Sequence, residues 1–330
     1  NTQRIIANSY SVHGQADLFG NANILAGNSY SIFGRANLNG VIHGVGGDFT
    51  AKSAVLGSDA RVWAEFGSKI TIGATAFNYS STMLTDSTIL LSSSGPGSLL
   101  DLSSLYSLAA GFGISSVSPN FHSITVSDAG VIDLSGLDLL TTPARAVSLL
   151  DFMVDGGELR IGVMDSVTGS GQIRMQLNSP LSLLVAPDSF KPHTSVTIAA
   201  VAEATIRIGG EYSFAHSDET MIDLKSAVVQ FDGIGPQFIE TGGFDIGTLI
   251  PMGPNFGVGQ MIVGTNTQAT TVYLRDAVDN GNGHVLCGPG VEAFYLLGLP
   301  ADPLDPAKSV NGLRILGGST LVLNGVPLYT

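Results

Sequence analysis

Apolar and polar residues alternate along residues 8–40, and the alternation repeats. Asn8-Ser9-Tyr10-Ser11-Val12-His13-Gly14-Gln15-Ala16-Asp17-Leu18-Phe19-Gly20 returns twenty positions later as Asn28-Ser29-Tyr30-Ser31-Ile32-Phe33-Gly34-Arg35-Ala36-Asn37-Leu38-Asn39-Gly40. The even positions are apolar or small, among them Val12, Ala16, Leu18, Ile32, Ala36 and Leu38, and most odd positions are polar. A period of two means extended backbone with one buried face. When that face recurs every twenty residues, each recurrence predicts one coil of a parallel β-solenoid. Parallel crossovers prefer the right hand. The expected fold is therefore all-β: a single-stranded right-handed parallel β-helix with about 20–25 residues per coil.

Stacking in register places Tyr10 over Tyr30 and Val12 over Ile32. It also aligns the inward amides of Asn8 and Asn28 as a ladder, with Asp48 a further twenty positions on. Strand-like runs follow at residues 68–72, 88–91 and 99–105, with a turn at Gly95-Pro96-Gly97. Beyond Ser123 one family of short strands centres near Ile161, Leu183, Ile206 and Gln230. A second centres near Met175, Ile198, Asp223 and Asp245, so two faces of one solenoid are expected. Glycine pairs such as Gly156-Gly157, Gly209-Gly210 and Gly242-Gly243 mark corners. Thr142 and Pro143 have the order of an N-cap and first helical residue, which predicts a short corner insertion over residues 141–147.

Residues 251–330 are broken by seven prolines. They hold strand patterns at 260–263 and 270–274, a helix or strand at 291–297, and two strands flanking Gly317-Gly318-Ser319. The expected organisation is one continuous unit, with residues 1–250 a parallel β-solenoid and residues 251–330 its final coils and a capping segment. A solenoid needs such an end device because an uncovered rung is a sheet edge open to pairing.

The run Gly259-Gln260-Met261-Ile262-Val263-Gly264, then Val272-Tyr273-Leu274-Arg275-Asp276, Asp279-Asn280-Gly281-Asn282 and the stretch from Asn311 to Gly325 carry a resemblance. They are similar to the C-terminal segment of large secreted bacterial β-solenoid proteins. Those proteins resemble autotransporter-associated β-strand repeats and often carry a dockerin or an exosortase (PEP-CTERM-like) sorting tail. The resemblance covers about the last 75 residues. It implies export and a role at the cell surface or in a matrix, and it implies no catalytic residues.

Composition agrees with a thin core spread over many strands. Of 330 residues 42 are glycine and only 12% are charged, against roughly 25% charged in typical globular chains. The net charge is −13 and the 14 Lys and Arg are scattered, which argues against nucleic-acid binding. No run reaches the roughly 18 unbroken apolar residues of a membrane helix. The first residue is Asn1, which fits either a processed export signal or a fragment. Low lysine with abundant Ser, Thr, Asn and Gly leans towards an extracellular location. Cys287 is the sole cysteine, so no intrachain disulfide forms, and a buried small hydrophobe is its expected role.

Chemistry is sparse. Asp276, Asp279, Asn280 and Asn282 place four oxygen donors on a Gly-rich loop, the type of set Ca²⁺ takes. Their spacing fits neither an EF-hand nor a Ca²⁺-binding nonapeptide repeat, so a solvated turn is the favoured alternative and no cofactor is expected. No two of the six histidines lie within 22 residues of each other, so there is no local zinc motif. Gly-x-Ser-x-Gly and Walker patterns are absent. Asn78-Tyr79-Ser80 fits a glycosylation sequon. The rival enzymatic reading is a β-helix polysaccharide lyase or glycoside hydrolase, with outward Asp133, Asp223 and Asp232 and the cations Arg160, Arg174 and Arg207. A single tryptophan, Trp63, argues against a long stacking platform for sugars.

These features together predict a secreted structural or adhesive protein, not an enzyme, that associates with other copies of itself into fibres, a sheath or a surface layer. Cell-surface polysaccharide is a further expected partner. The first rung, Asn8, Ser9, Tyr10, Ser11 and Val12, is the expected edge for association.

Overall fold

The structure is a computed structural model. It describes residues 9–73, 76–81, 87–110, 121–142, 148–162, 164–201, 203–213, 218–245, 256–277, 292–299 and 312–330. The sequence expectations at Asn8, at residues 143–147 and at Cys287 lie outside these residues. The chain divides into two compact units, residues 1–175 and 176–330. Each is an all-β parallel β-helix.

In the first unit every coil has three strand faces, where the sequence beyond Ser123 suggested two. The first coil is Ser9–Val12, Ala16–Phe19 and Ala22–Leu25. In the second coil the eleven-residue strand Ser29–Asn39 supplies the first two faces and Val41–Val45 the third. The third coil repeats this with Asp48–Leu56 and Arg61–Glu65. The alternation of long β-rich runs with short turns gave no sign of a bend inside Ser29–Asn39. That bend is a register shift between Ile32 and Arg35 that turns the strand onto the next face.

The twenty-residue repeat is the stacking register of the first two coils. Ser9 pairs with Ser29, Tyr10 with Tyr30 and Val12 with Ile32. The next coil is one residue shorter, so Ser29, not Asn28, faces Asp48. Coils then lengthen beyond the expected 20–25 residues. Leu99 pairs with Lys69 on one side and Val131 on the other, and the extra residues sit at the corners between strands.

Inward columns form the core. Tyr30, Phe49, Ile70, Leu100, Ile132 and Leu159 lie one above another through consecutive ladders. All six are buried. Ile42, Val62, Leu91, Ile124 and Phe152 form the corresponding column on the third face. Each coil is held by its neighbours' apolar side chains and by backbone hydrogen bonds at the strand spacing of about 4.8 Å.

The second unit follows the same rule. Leu184, Ile206, Val229, Met261 and Leu313 share one inward column. Phe190, Tyr212, Ile239 and Leu274 share another, in a separate five-stranded sheet. Phe190 and Tyr212 stack at 6.0 Å and 18°. The first sequence family is correct through Gln230, which lies in Ile222–Phe231. The second fails at its last member, because Gly243–Phe244 turns aside to pair antiparallel with Glu292–Tyr295. Glu292–Tyr295 is a strand, resolving the choice between helix and strand. Leu313–Ile315 and Thr320–Val322 do not form a hairpin across Gly317-Gly318. Each adds in parallel to a different sheet, so that turn is a corner. Thr142 uses its hydroxyl to bridge coils, donating to the Thr168 carbonyl at 3.0 Å and accepting from the Gly171 N–H at 3.1 Å.

Close stacking at a corner requires glycine at position 34. A Cβ there would lie 2.2 Å from the Gly14 carbonyl oxygen, whereas a Cβ on Gly14, its repeat equivalent, meets nothing within 4 Å. Gly34→Ala is expected to lower unfolding stability by about 1–3 kcal/mol through overpacking. Gly14→Ala is expected to stay within about 0.5 kcal/mol of the parent. Urea denaturation of the two variants side by side checks this, and equal effects would show that the stacking does not impose the glycine.

Candidate functional site

Two places in the fold correspond to sites expected from sequence. The first is the opening coil. Its inward residues Val12, Ala16, Leu18 and Ala22 are half-buried, while Ile32, Ala36, Leu38 and Ile42, one coil further on, are buried. A cavity of ≈ 30 Å³ lies among Leu18, Ala22, Ile24, Tyr30, Ile42 and Phe49. Among the described residues, Ser9–Val12, Ala16–Phe19 and Ala22–Leu25 each pair on one side only, with the second coil. Among the described residues, the strand holding Ser9, Tyr10, Ser11 and Val12 is thus one of three in this coil that pair with the second coil alone. Outside the ladder, Asp17 ties this coil down: its carboxylate accepts from the Asn37 amide at 2.5 Å and from Gln15 at 3.1 Å. Those bonds, Asn37 first, hold the Asp17 carboxyl below its ordinary pKa. His13 stacks on Phe33 at 4.9 Å across the same pair of coils.

The second place is an acidic cluster in the second unit. Asp276 is brought to Glu240 and Glu292, with one carboxylate oxygen of each within 4.8 Å of the others. The other expected Ca²⁺ ligands, Asp279, Asn280 and Asn282, lie outside the described residues. Glu240 and Glu292 were missed because they are 36 and 16 positions from Asp276, and no local spacing joins them. Only the ladder does, by pairing Glu240 with Arg275.

The Glu240 and Asp276 carboxylates are engaged by protein donors. Arg275 Nε donates to Glu240 Oε2 at 2.9 Å, and the Ala277 N–H donates to Glu240 Oε1 at 2.7 Å. The Glu292 N–H donates to Asp276 at 3.4 Å. Arg275 also bonds Glu211, which in turn pairs with Lys191 Nζ at 2.6 Å. The Arg275 guanidinium lies 4.9 Å from the centre of the Phe238 ring, which stacks on Tyr273 at 5.6 Å. The geometry is that of an ion-pair network linking coils, with oxygen donors of the kind a hard cation takes.

The outward charges considered for polysaccharide chemistry are paired. Arg160 bonds Glu158 at 2.6 Å and Asp133 at 3.2 Å, across a ladder that sets Asp133 opposite Arg160. Arg174 holds both oxygens of Asp151, at 3.1 and 2.6 Å. Hydrogen bonds donated to Glu158 and Asp151 raise the pKa of these two guanidinium groups above the ordinary value. Arg207 bonds Asp232 at 2.7 Å, and Lys225 pairs with Asp223 at 3.1 Å. Within the first unit, Asp133 and Arg160 lie on the first face while Asp151 and Arg174 lie on the third, so no common groove collects them.

No family model, curated protein or solved structure matches this chain.

Two measurements test these assignments. Asp17 has a depressed pKa in the folded chain, so its contribution is present above the unfolded value near 3.9 and is lost as pH falls below that value. Amide exchange in Ala16–Phe19 is therefore expected to accelerate selectively below about pH 4, and Asp17→Asn is expected to remove that pH dependence. Replacing Glu240 by Leu leaves the Arg275 charge short of a buried partner, and is expected to cost about 3–5 kcal/mol in chemical denaturation of the whole chain. A loss below about 1 kcal/mol would show that the network is peripheral to stability.

Proposed function

We propose that the protein is an extracellular structural or adhesive β-solenoid, of the secreted bacterial kind its C-terminal segment resembles. In this reading copies associate end on, with the first coil of one receiving a β-rung of the next. The observation that carries the proposal is the first coil itself. Its core side chains are half-buried, and its ladder is unpaired on the outer side among the described residues.

The same coil supplies the pattern for its occupant. The second coil stacks on it through near-identical sequence, so a rung of similar alternation on the other side would bury Val12, Ala16, Leu18 and Ala22 in the same way. In the second unit, Leu313–Ile315 and Thr320–Val322 also pair on one side only among the described residues, which makes the last coil of another copy the partner. Such a head-to-tail contact does not close on itself and extends into filaments. Low surface charge, 12% of residues, limits repulsion between copies. No described helix is long and apolar enough to cross a membrane. The outward acid–base pairs serve to link coils, which favours a structural role over polysaccharide cleavage.

Gly14 offers a direct test. Its Cβ direction is open in the single chain, but in a stacked copy it meets the neighbouring corner as position 34 meets Gly14. Negative-stain electron microscopy over a concentration series is expected to show filaments of the parent chain. Gly14→Ala is expected to give short dispersed particles with an unchanged melting temperature. Dispersed particles of the parent at every concentration, or filaments of Gly14→Ala equal to the parent, would overturn the proposal.

A further inference from the structure

The third face of the first unit carries a side-chain cluster that the end-on contact does not use. Asn23, His43 and Trp63 form one outward column, set by the ladders Asn23–His43 and His43–Trp63. The His43 and Trp63 rings meet edge to face at 5.6 Å and 78°. Trp63 Nε1 donates to the Ile89 carbonyl of the next coil at 3.3 Å, which fixes the indole across two strands. His43 Nε2 bonds Glu65 Oε2 at 2.9 Å, while His43 Nδ1 and Glu65 Oε1 have no partner among the described residues.

Arg61 completes the cluster. It lies two positions before Trp63 on the same strand and points to the same side. Arg160, Arg174, Arg207 and Arg275 each have a carboxylate partner; Arg61 has none among the described residues, and its Nε is buried without a hydrogen-bond acceptor. The Arg61 side chain as a whole is only half-buried, and a ligand carboxylate is the group that fits a guanidinium with no anionic partner.

We infer that this cluster binds an acidic sugar unit, a hexuronate within a polysaccharide chain. The apolar face of the pyranose ring packs on the Trp63 indole, whose large rigid surface is half-buried and held in place. The sugar carboxylate takes the Arg61 guanidinium. Ring hydroxyls take His43 Nδ1, Glu65 Oε1 and the exposed amide of Asn23. Exposed Leu25 and Ile89 border the site with apolar surface. The role is attachment to an acidic polysaccharide, with no bond made or broken. It stands independently of the end-on assembly.

Trp63 is the only tryptophan, so its emission reports this site alone. Oligogalacturonate is expected to shift that emission saturably, and maltooligosaccharide, which has the ring without the carboxylate, is expected not to. Arg61→Gln is expected to weaken the oligogalacturonate response by at least about tenfold, the loss of one charge-assisted hydrogen bond. Its circular dichroism and melting temperature check that it folds. Glu65→Gln, distant from the carboxylate, is expected to fold and to weaken binding less. No emission change with oligogalacturonate, an unchanged response in Arg61→Gln, or an equal response to polyglutamate would overturn the inference, the last by showing that a carboxylate suffices without the sugar ring.

Discussion

In a parallel β-helix each strand takes its backbone partners from the coil before and the coil after. No coil is complete alone, and this dependence shapes the whole molecule. It forces Tyr30, Phe49, Ile70, Leu100, Ile132 and Leu159 into one column, because residues that share a ladder position share a direction. It brings corners into contact, so that glycine is needed where carbonyl oxygens of one coil abut the Cβ position of the next, as at Gly34. It also leaves the terminal coil with half its hydrogen-bonding capacity and half its core contacts. Among the described residues the first coil pairs on one side only, by the same rule.

The ladder distributes charge as well. Outward side chains in register sit about 4.8 Å apart, and an arginine on one coil reaches a carboxylate on the next. Asp133 with Arg160 and Asp151 with Arg174 are such links, and Glu240 with Arg275 is the more deeply buried case. Few charges are present, and Arg160, Arg174, Arg207 and Arg275 each link coils. Arg61 has no such carboxylate partner among the described residues.

Much of the first unit could be read in the chain. Where coils keep the twenty-residue length, position alone predicts contact: Tyr10 with Tyr30, and equally His43 with Trp63, which share that spacing. The second pair was readable but was passed over, because it lies where the visible repeat has decayed. Legibility ends where corner insertions change the coil length. Asp245 failed as a strand centre because Gly243–Phe244 leaves the parallel ladder for an antiparallel pairing, and Glu240, Asp276 and Glu292 converge across intervals that no local motif encodes.

The sequence alone determined the period-two strands, the parallel stacking and the inward residues, because side-chain alternation and coil spacing are local properties repeated along the chain. The tertiary structure decided that there are three faces per coil in the first unit and which charges meet. Those depend on where each bend falls and on how many residues each corner absorbs, quantities that the polar and apolar pattern leaves undetermined.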